Sequence, residues 1–236
     1  VVFLSFDDIV NHGIPEDIDV IVNAGAAGTA FCGGENWLSS KLVTEIRRFV
    51  YEGGGFVGIG EPSAAHFGGR FFQLADVLGV DKELGFSLST DKYFTEQREH
   101  HFLKEDRRTG FDFGESVKNV YALSEDTEIV EFSDGELHLS AHPYGNGRGI
   151  YIAGLPYSYE NTRLLLRSLY YSASQEDHLK QWYADNPLCE VHAYPETKKY
   201  AIVNNSADIQ ETMVYNGVGI GQMVRLEGSQ ILWADI

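Results

Sequence analysis

The chain opens on an unbroken apolar run, Val1-Val2-Phe3-Leu4, which reaches Phe6 and is closed by Asp7-Asp8. That pattern predicts a buried strand followed by a loop. A second strand is predicted at Ile18-Asp19-Val20-Ile21-Val22-Asn23, rich in β-branched residues and stopped by Gly25. After Ser39 or Ser40 the period changes. Leu42, Val43, Ile46, Phe49 and Val50 recur at helical spacing, while Lys41, Glu45, Arg47 and Arg48 occupy the other face. Gly53-Gly54-Gly55 ends the helix, and Phe56-Val57-Gly58-Ile59 starts another buried strand. Strand, helix and strand in succession imply a parallel sheet with right-handed crossovers.

Further along, Phe71 to Leu78 reads as an amphipathic helix entered from a loop over residues 61–70. Residues 91–115 are charged and aperiodic, hence a long loop with short pieces. Strands follow at 120–123, 128–132, 137–142 and 149–154, with hairpin chemistry at Ser133-Asp134-Gly135 and Tyr144-Gly145-Asn146-Gly147. A closing helix is predicted over residues 159–171, with Leu164, Leu165, Leu169 and Tyr170 on its apolar side. Residues 1–183 thus read as one α/β domain with a parallel sheet and helices on both faces. Past Asn186-Pro187 only short strands remain, so residues 184–236 read as a small all-β domain.

Composition changes this picture little. Hydrophobic residues make up 43% and charged residues 22%, a globular balance. The net charge of -17 excludes nucleic acid and anionic membranes as natural partners. No run approaches the roughly 18 apolar residues that span a bilayer. Two distant cysteines, Cys32 and Cys189, make neither a disulfide framework nor a zinc site, and fit a cytoplasmic protein. The first residue is Val1, inside an apolar run, and the last is Ile236, so a fragment of a longer polypeptide is expected.

Ligands of open parallel sheets gather at loops beyond the carboxyl ends of strands. Two loops qualify. Residues 25–34 are uncharged and glycine-rich, which lets a partner approach the backbone. Gly58-Ile59-Gly60-Glu61-Pro62-Ser63-Ala64 is a sharp turn. Class I glutamine amidotransferase-like folds carry a cysteine nucleophile at such a turn, but Gly60 or Glu61 stands there instead. Cys32, which lies beyond the wrong strand for that role, reads as a small buried residue rather than a nucleophile with His66 as its base. His138 and His142 would share a strand face about 13 Å apart, too far for one ion, and His100-His101 gives no ligand set. Glu61, Asp76 and Glu83 could pair as glycosidase carboxylates, although no spacing rule selects them. The glycines of Gly25-Ala26-Ala27-Gly28 do not match GxGxxG and no Walker lysine follows them, so a nucleotide site is unsupported.

Three segments in order carry a resemblance: Val22-Asn23-Ala24-Gly25-Ala26-Ala27-Gly28-Thr29-Ala30-Phe31, Gly33-Gly34-Glu35-Asn36-Trp37, and the stretch from Gly53-Gly54-Gly55-Phe56 to Glu61-Pro62-Ser63-Ala64. Together they resemble the 1,3-β-galactosyl-N-acetylhexosamine phosphorylases, or lacto-N-biose/galacto-N-biose phosphorylases, of glycoside hydrolase family 112. The resemblance implies three parts: a catalytic N-terminal TIM-like barrel, a flavodoxin-like or amidotransferase-like middle domain and a C-terminal β domain. It implies reversible, inverting phosphorolysis to α-galactose 1-phosphate and GlcNAc or GalNAc. Inorganic phosphate is then the co-substrate, and no cofactor or metal is needed. Partners would be the barrel of the same polypeptide, small sugars and further copies in a homo-oligomer. No catalytic residue is expected in this stretch, which alone would be inactive. Gly28, Thr29, Glu61 and Ser63 are the candidates for facing the substrate or the barrel interface.

Rival readings remain open at this stage. They are an assembly module of a β-galactosidase-like enzyme, a galactosyl-rhamnose phosphorylase and an amidotransferase-like hydrolase. A carbohydrate-binding module would need Trp37, Trp182 or Trp233 as an exposed platform, whereas tryptophans are on average core residues.

Overall fold

The structure is a computed structural model, and it describes residues 1–84, 96–99, 101–105, 107–179, 181–217 and 221–236. His100 and parts of the 91–115 loop, residues 91–95 and 106, therefore lie outside the described residues. The first helix, α1 (Phe6–His12), begins where a strand is predicted. Its cause is a capping box: the Asp8 amide donates to Ser5 Oγ at 3.0 Å, and the Asp8 carboxylate accepts the Ser5 amide at 3.2 Å. Val1, Val2 and Phe3 pair with no strand and stay exposed, which corrects the predicted buried strand.

The chain then runs through β1 (Val20–Gly25), α2 (Ser40–Tyr51) and β2 (Gly55–Gly60). Ser39 caps α2, whose Leu42, Val43, Ile46 and Val50 are buried, as the helical spacing requires. A hairpin follows, β3 (Ala64–Phe67) and β4 (Arg70–Phe72), then the one-turn α3 (Ala75–Leu78). The helix predicted from Phe71 thus starts at Ala75. The buried Asp81 carboxylate accepts the Phe71 and Phe72 amides at 3.2 and 2.9 Å, which fixes those residues as strand.

Two short strands, β5 (Val80–Lys82) and β6 (Val120–Ala122), pair with each other. The sheet is completed by β7 (Glu128–Ser133), β8 (Glu136–Tyr144) and β9 (Gly147–Ile152). Its order is β1-β2-β9-β8-β7, with β1, β2 and β9 parallel and β7 and β8 joined antiparallel through hairpins. The sheet is therefore mixed rather than parallel throughout. Alternation sends Phe56 and Tyr151 to a core with α2 and α3, and Val57, Ile150 and Ile152 to a core with α4 (Tyr159–Ser172). Helices cover both faces.

The apolar stripe of α4 differs from the prediction. Leu164 is buried, but Leu165, Leu169 and Tyr170 are only half-buried, and Arg163 and Arg167 are buried instead. These arginines reach out of the first unit. After α5 (Glu176–Leu179) come β10 (Trp182–Ala184), β11 (Cys189–Tyr194), β12 (Lys199–Asn204), β13 (Gln210–Asn216), β14 (Gly221–Leu226) and β15 (Ile231–Asp235). They form two three-stranded sheets, β10-β13-β14 and β11-β12-β15, around Cys189, Ile202, Val214 and Leu226. Arg163 donates to the Ala184 carbonyl at 2.8 Å and to those of Asn186 and Cys189 at 3.3 and 3.4 Å. Arg167 donates to Phe102 O at 2.8 Å and Tyr183 Oη at 3.0 Å, with its guanidinium 4.5 Å from the Phe102 ring.

One helix thus serves both units. Arg167→Ala would leave a buried carbonyl and hydroxyl without their donor. It is expected to cost about 3 kcal/mol of unfolding free energy in urea titration.

Candidate functional site

The two glycine-rich loops leave neighbouring strands at one end of the sheet, where Gly25 and Gly60 are register partners. Both have positive φ, at 133° and 78°. A Cβ on Gly60 would stand 3.0 Å from Gly25 O, and one on Gly25 2.9 Å from Phe31 Cβ. Only glycine lets both loops turn so closely.

Asn23 ties the loops together from beneath. It is buried near the end of β1, where its Oδ1 accepts the Ser63 amide at 2.9 Å and its Nδ2 donates to Cys32 O at 3.0 Å. The Trp37 indole donates to the same carbonyl at 2.6 Å, and Cys32 Sγ donates to Glu61 O at 2.9 Å. Above this layer the Glu61 carboxylate accepts the Ala27 amide at 2.7 Å and pairs with Lys82 Nζ at 2.5 Å. Both side chains are more than four-fifths buried, so this pair is screened far less than a surface bridge. Asn23, Trp37 and Lys82 were missed as site residues. Only Asn23, a polar residue directly after the apolar run Val20-Ile21-Val22, hints at a role in the sequence.

The four candidate residues divide. Gly28 and Thr29 are exposed, with Thr29 Oγ1 donating to Ala26 O at 2.6 Å. Glu61 has a largely buried side chain and holds the first loop through Ala27. Ser63 faces no surface, which corrects its assignment. It is fully buried at φ 53°, and its Oγ accepts the Leu74 amide at 3.0 Å. Phe31 on the first loop and Phe67 at the end of β3, neither of them a candidate in the sequence, are exposed.

This geometry argues against covalent chemistry at the turn around Gly60 and Glu61. Burial pushes the Cys32 thiol above its ordinary pKa, and Glu61 nearby adds to the effect, so no thiolate forms near neutrality. His66 packs edge-on against Phe71 at 5.6 Å instead of approaching a nucleophile. The carboxylates do not pair either, since Glu61 binds Lys82 while Asp76 binds Arg47 at 2.9 Å. Among the described residues no three His, Cys, Asp or Glu side chains gather as metal ligands would. His138 stacks on Phe113 at 4.8 Å, and His142 Nδ1 lies 3.1 Å from Thr127 Oγ1. Trp37 is core, whereas Trp233 is more than half exposed beside Tyr194. Among the described residues no helix is long and apolar enough to cross a membrane.

Residues 1–177 match the profile of the lacto-N-biose phosphorylase central domain, and residues 182–234 match that of its C-terminal domain. The chain belongs to the lacto-N-biose phosphorylase family. A 1,3-β-galactosyl-N-acetylhexosamine phosphorylase of Lachnoclostridium phytofermentans is 44% identical over 98% of the chain and 32% of its own length. A phosphorylase of the same description from Bifidobacterium longum is 41% identical over 99% of the chain and 35% of its own length. A D-galactosyl-β-1→4-L-rhamnose phosphorylase of L. phytofermentans is 33% identical over 90% of the chain and 28% of its length. The chain thus spans about a third of these relatives of the lacto-N-biose phosphorylase family.

Two predictions follow from the buried polar groups. Asn23→Leu removes partners from a buried amide and a buried carbonyl. It should lower unfolding free energy by about 2–4 kcal/mol in denaturant titration. His101 and His142 are held below the ordinary histidine pKa by burial, against the opposing pull of Glu128 on the first and of Asp126 and Asp76 on the second. Their neutral forms belong to the folded state, so their stabilisation is complete above the unfolded pKa of about 6.5 and is lost as pH falls below it. Tm should drop from pH 7 to pH 5, and His142→Gln should flatten that drop.

Proposed function

We propose that this chain is the non-catalytic portion of an inverting phosphorylase that cleaves β1,3-galactosyl-N-acetylhexosamines, lacto-N-biose and galacto-N-biose. The products are α-galactose 1-phosphate and GlcNAc or GalNAc. The observation that carries this reading is identity of 41–44% to two such phosphorylases over 98–99% of the chain. Identity to the galactosyl-rhamnose enzyme is lower, at 33%, which ranks that specificity second. Catalysis resides in a TIM-like barrel of the same polypeptide. There one carboxylic acid protonates the departing amino-sugar oxygen while phosphate attacks from the opposite ring face. Phosphate arrives already anionic, so neither a strong general base nor a cofactor is required.

In this reading the first unit, through α5, is an amidotransferase-like domain on a flavodoxin-like plan, and the strands from Trp182 onward form a β domain. The protein works in the cytosol as a homo-oligomer. The turn around Gly60 and Glu61 has no usable nucleophile, and the rigid pair of loops serves as a lid. Gly28 and Thr29, with Phe31 beside them, rest against the barrel mouth, while Glu61 holds the first loop at the right height. The buried network of Asn23, Cys32 and Glu61 supports this role because it fixes loop position without exposing reactive groups.

The test is an assay of the complete polypeptide for phosphate-dependent release of galactose 1-phosphate from lacto-N-biose. Glu61→Gln and Thr29→Val are expected to raise KM for phosphate or the sugar several-fold with kcat little changed. Unchanged kinetics in both variants would remove the lid role. Release of galactose without phosphate would remove the phosphorylase reading.

A further inference from the structure

A cleft of about 530 Å³ opens between the start of α4 and the β10–β11 region of the second unit, and no residue of the paired loops lines it. Its volume falls in the range of small-molecule sites. Tyr157, Tyr159 and Trp182 supply aromatic walls, and Glu190, His192 and Asn205 supply the polar ones. Tyr157 is 86% exposed, so no packing requirement accounts for a ring at that position.

The other walls are held in place. Tyr159 Oη donates to Asn205 O at 2.9 Å, which fixes its ring across the seam between the units. Trp182 leans on Tyr200 at 5.5 Å, and the backbone of Gly217 lies close behind it. Arg163 contributes to the floor, anchored by three carbonyls of the second unit. A cleft whose walls are already ordered loses little entropy when it binds.

Charge selects the class of ligand. The Arg163 guanidinium in the floor opposes a cation in the aromatic walls. Glu190, on a chain of net charge -17, opposes an anion. A neutral ligand with flat apolar faces and an edge of hydroxyls satisfies both. The ring C–H faces of a hexose stack on tyrosine and tryptophan. Its hydroxyls both donate and accept, which suits the Glu190–His192 pair, 3.0 Å apart and half exposed. We propose that this cleft is a carbohydrate-binding site that takes a neutral hexose or hexosamine unit.

The complete protein is titrated with methyl β-galactoside, N-acetylglucosamine, choline and inorganic phosphate while Trp182 fluorescence is followed by difference from Trp182→Phe. A saturable response to at least one sugar, and to neither ion, is expected. Tyr157→Ala should weaken that response about tenfold at unchanged Tm, the loss of one stacking contact. Because Tyr157 is exposed, this variant tests the site without risking the fold. Saturation by choline or phosphate alone, no saturation by either sugar, or sugar binding undiminished in Tyr157→Ala would overturn the proposal.

Discussion

The side-chain amide of Asn23 is the interaction on which the carboxyl end of the sheet depends. One residue near the end of β1 donates to the first loop and accepts from the second, spanning 40 residues of sequence to reach Ser63. A buried amide must satisfy both its donor and acceptor sides, and no apolar residue could replace it there. Cys32, Trp37 and Glu61 add their bonds to the same pair of loops. The outcome is a fixed surface made from two tightly turned loops. Its single thiol is buried and its carboxylate is neutralised by Lys82.

The second constraint lies along α4. The helix packs Leu164 against the sheet while Arg163 and Arg167 reach the second unit. Burying two guanidiniums is costly unless each finds carbonyls, hydroxyls and aromatic faces, and here they do. Oriented hydrogen bonds from these arginines therefore join two units whose apolar clusters are separate. That polar seam leaves room for a cleft.

Much of this was legible in the residues, and the failures share a cause. The helical period of Leu42 to Val50, the strands at Val20 and Phe56 and both hairpin turns stand where local pattern puts them. Local apolar runs misled where a polar group decided the outcome. Ser5 and Asp8 made a helix of an apparent strand, and Asp81 made a strand of an apparent helix from a distance of ten residues. The buried face of α4 was hidden because arginine reads as a solvent residue until its partners are known. At the site, the sequence located both loops. It could not tell that Ser63 points inward, which depends on the fold of residue 74. The family resemblance, by contrast, rested on long ordered segments, and the matches over residues 1–177 and 182–234 agree with it.

Hydrogen–deuterium exchange, compared between the complete polypeptide and this chain alone, tests most directly whether the stapled loops serve a neighbouring domain. The account predicts that amides of residues 26–31 and 64–68 exchange more slowly in the complete polypeptide, while the amide of Ser63 is protected in both. Equal exchange of the loop amides in the two proteins would contradict it.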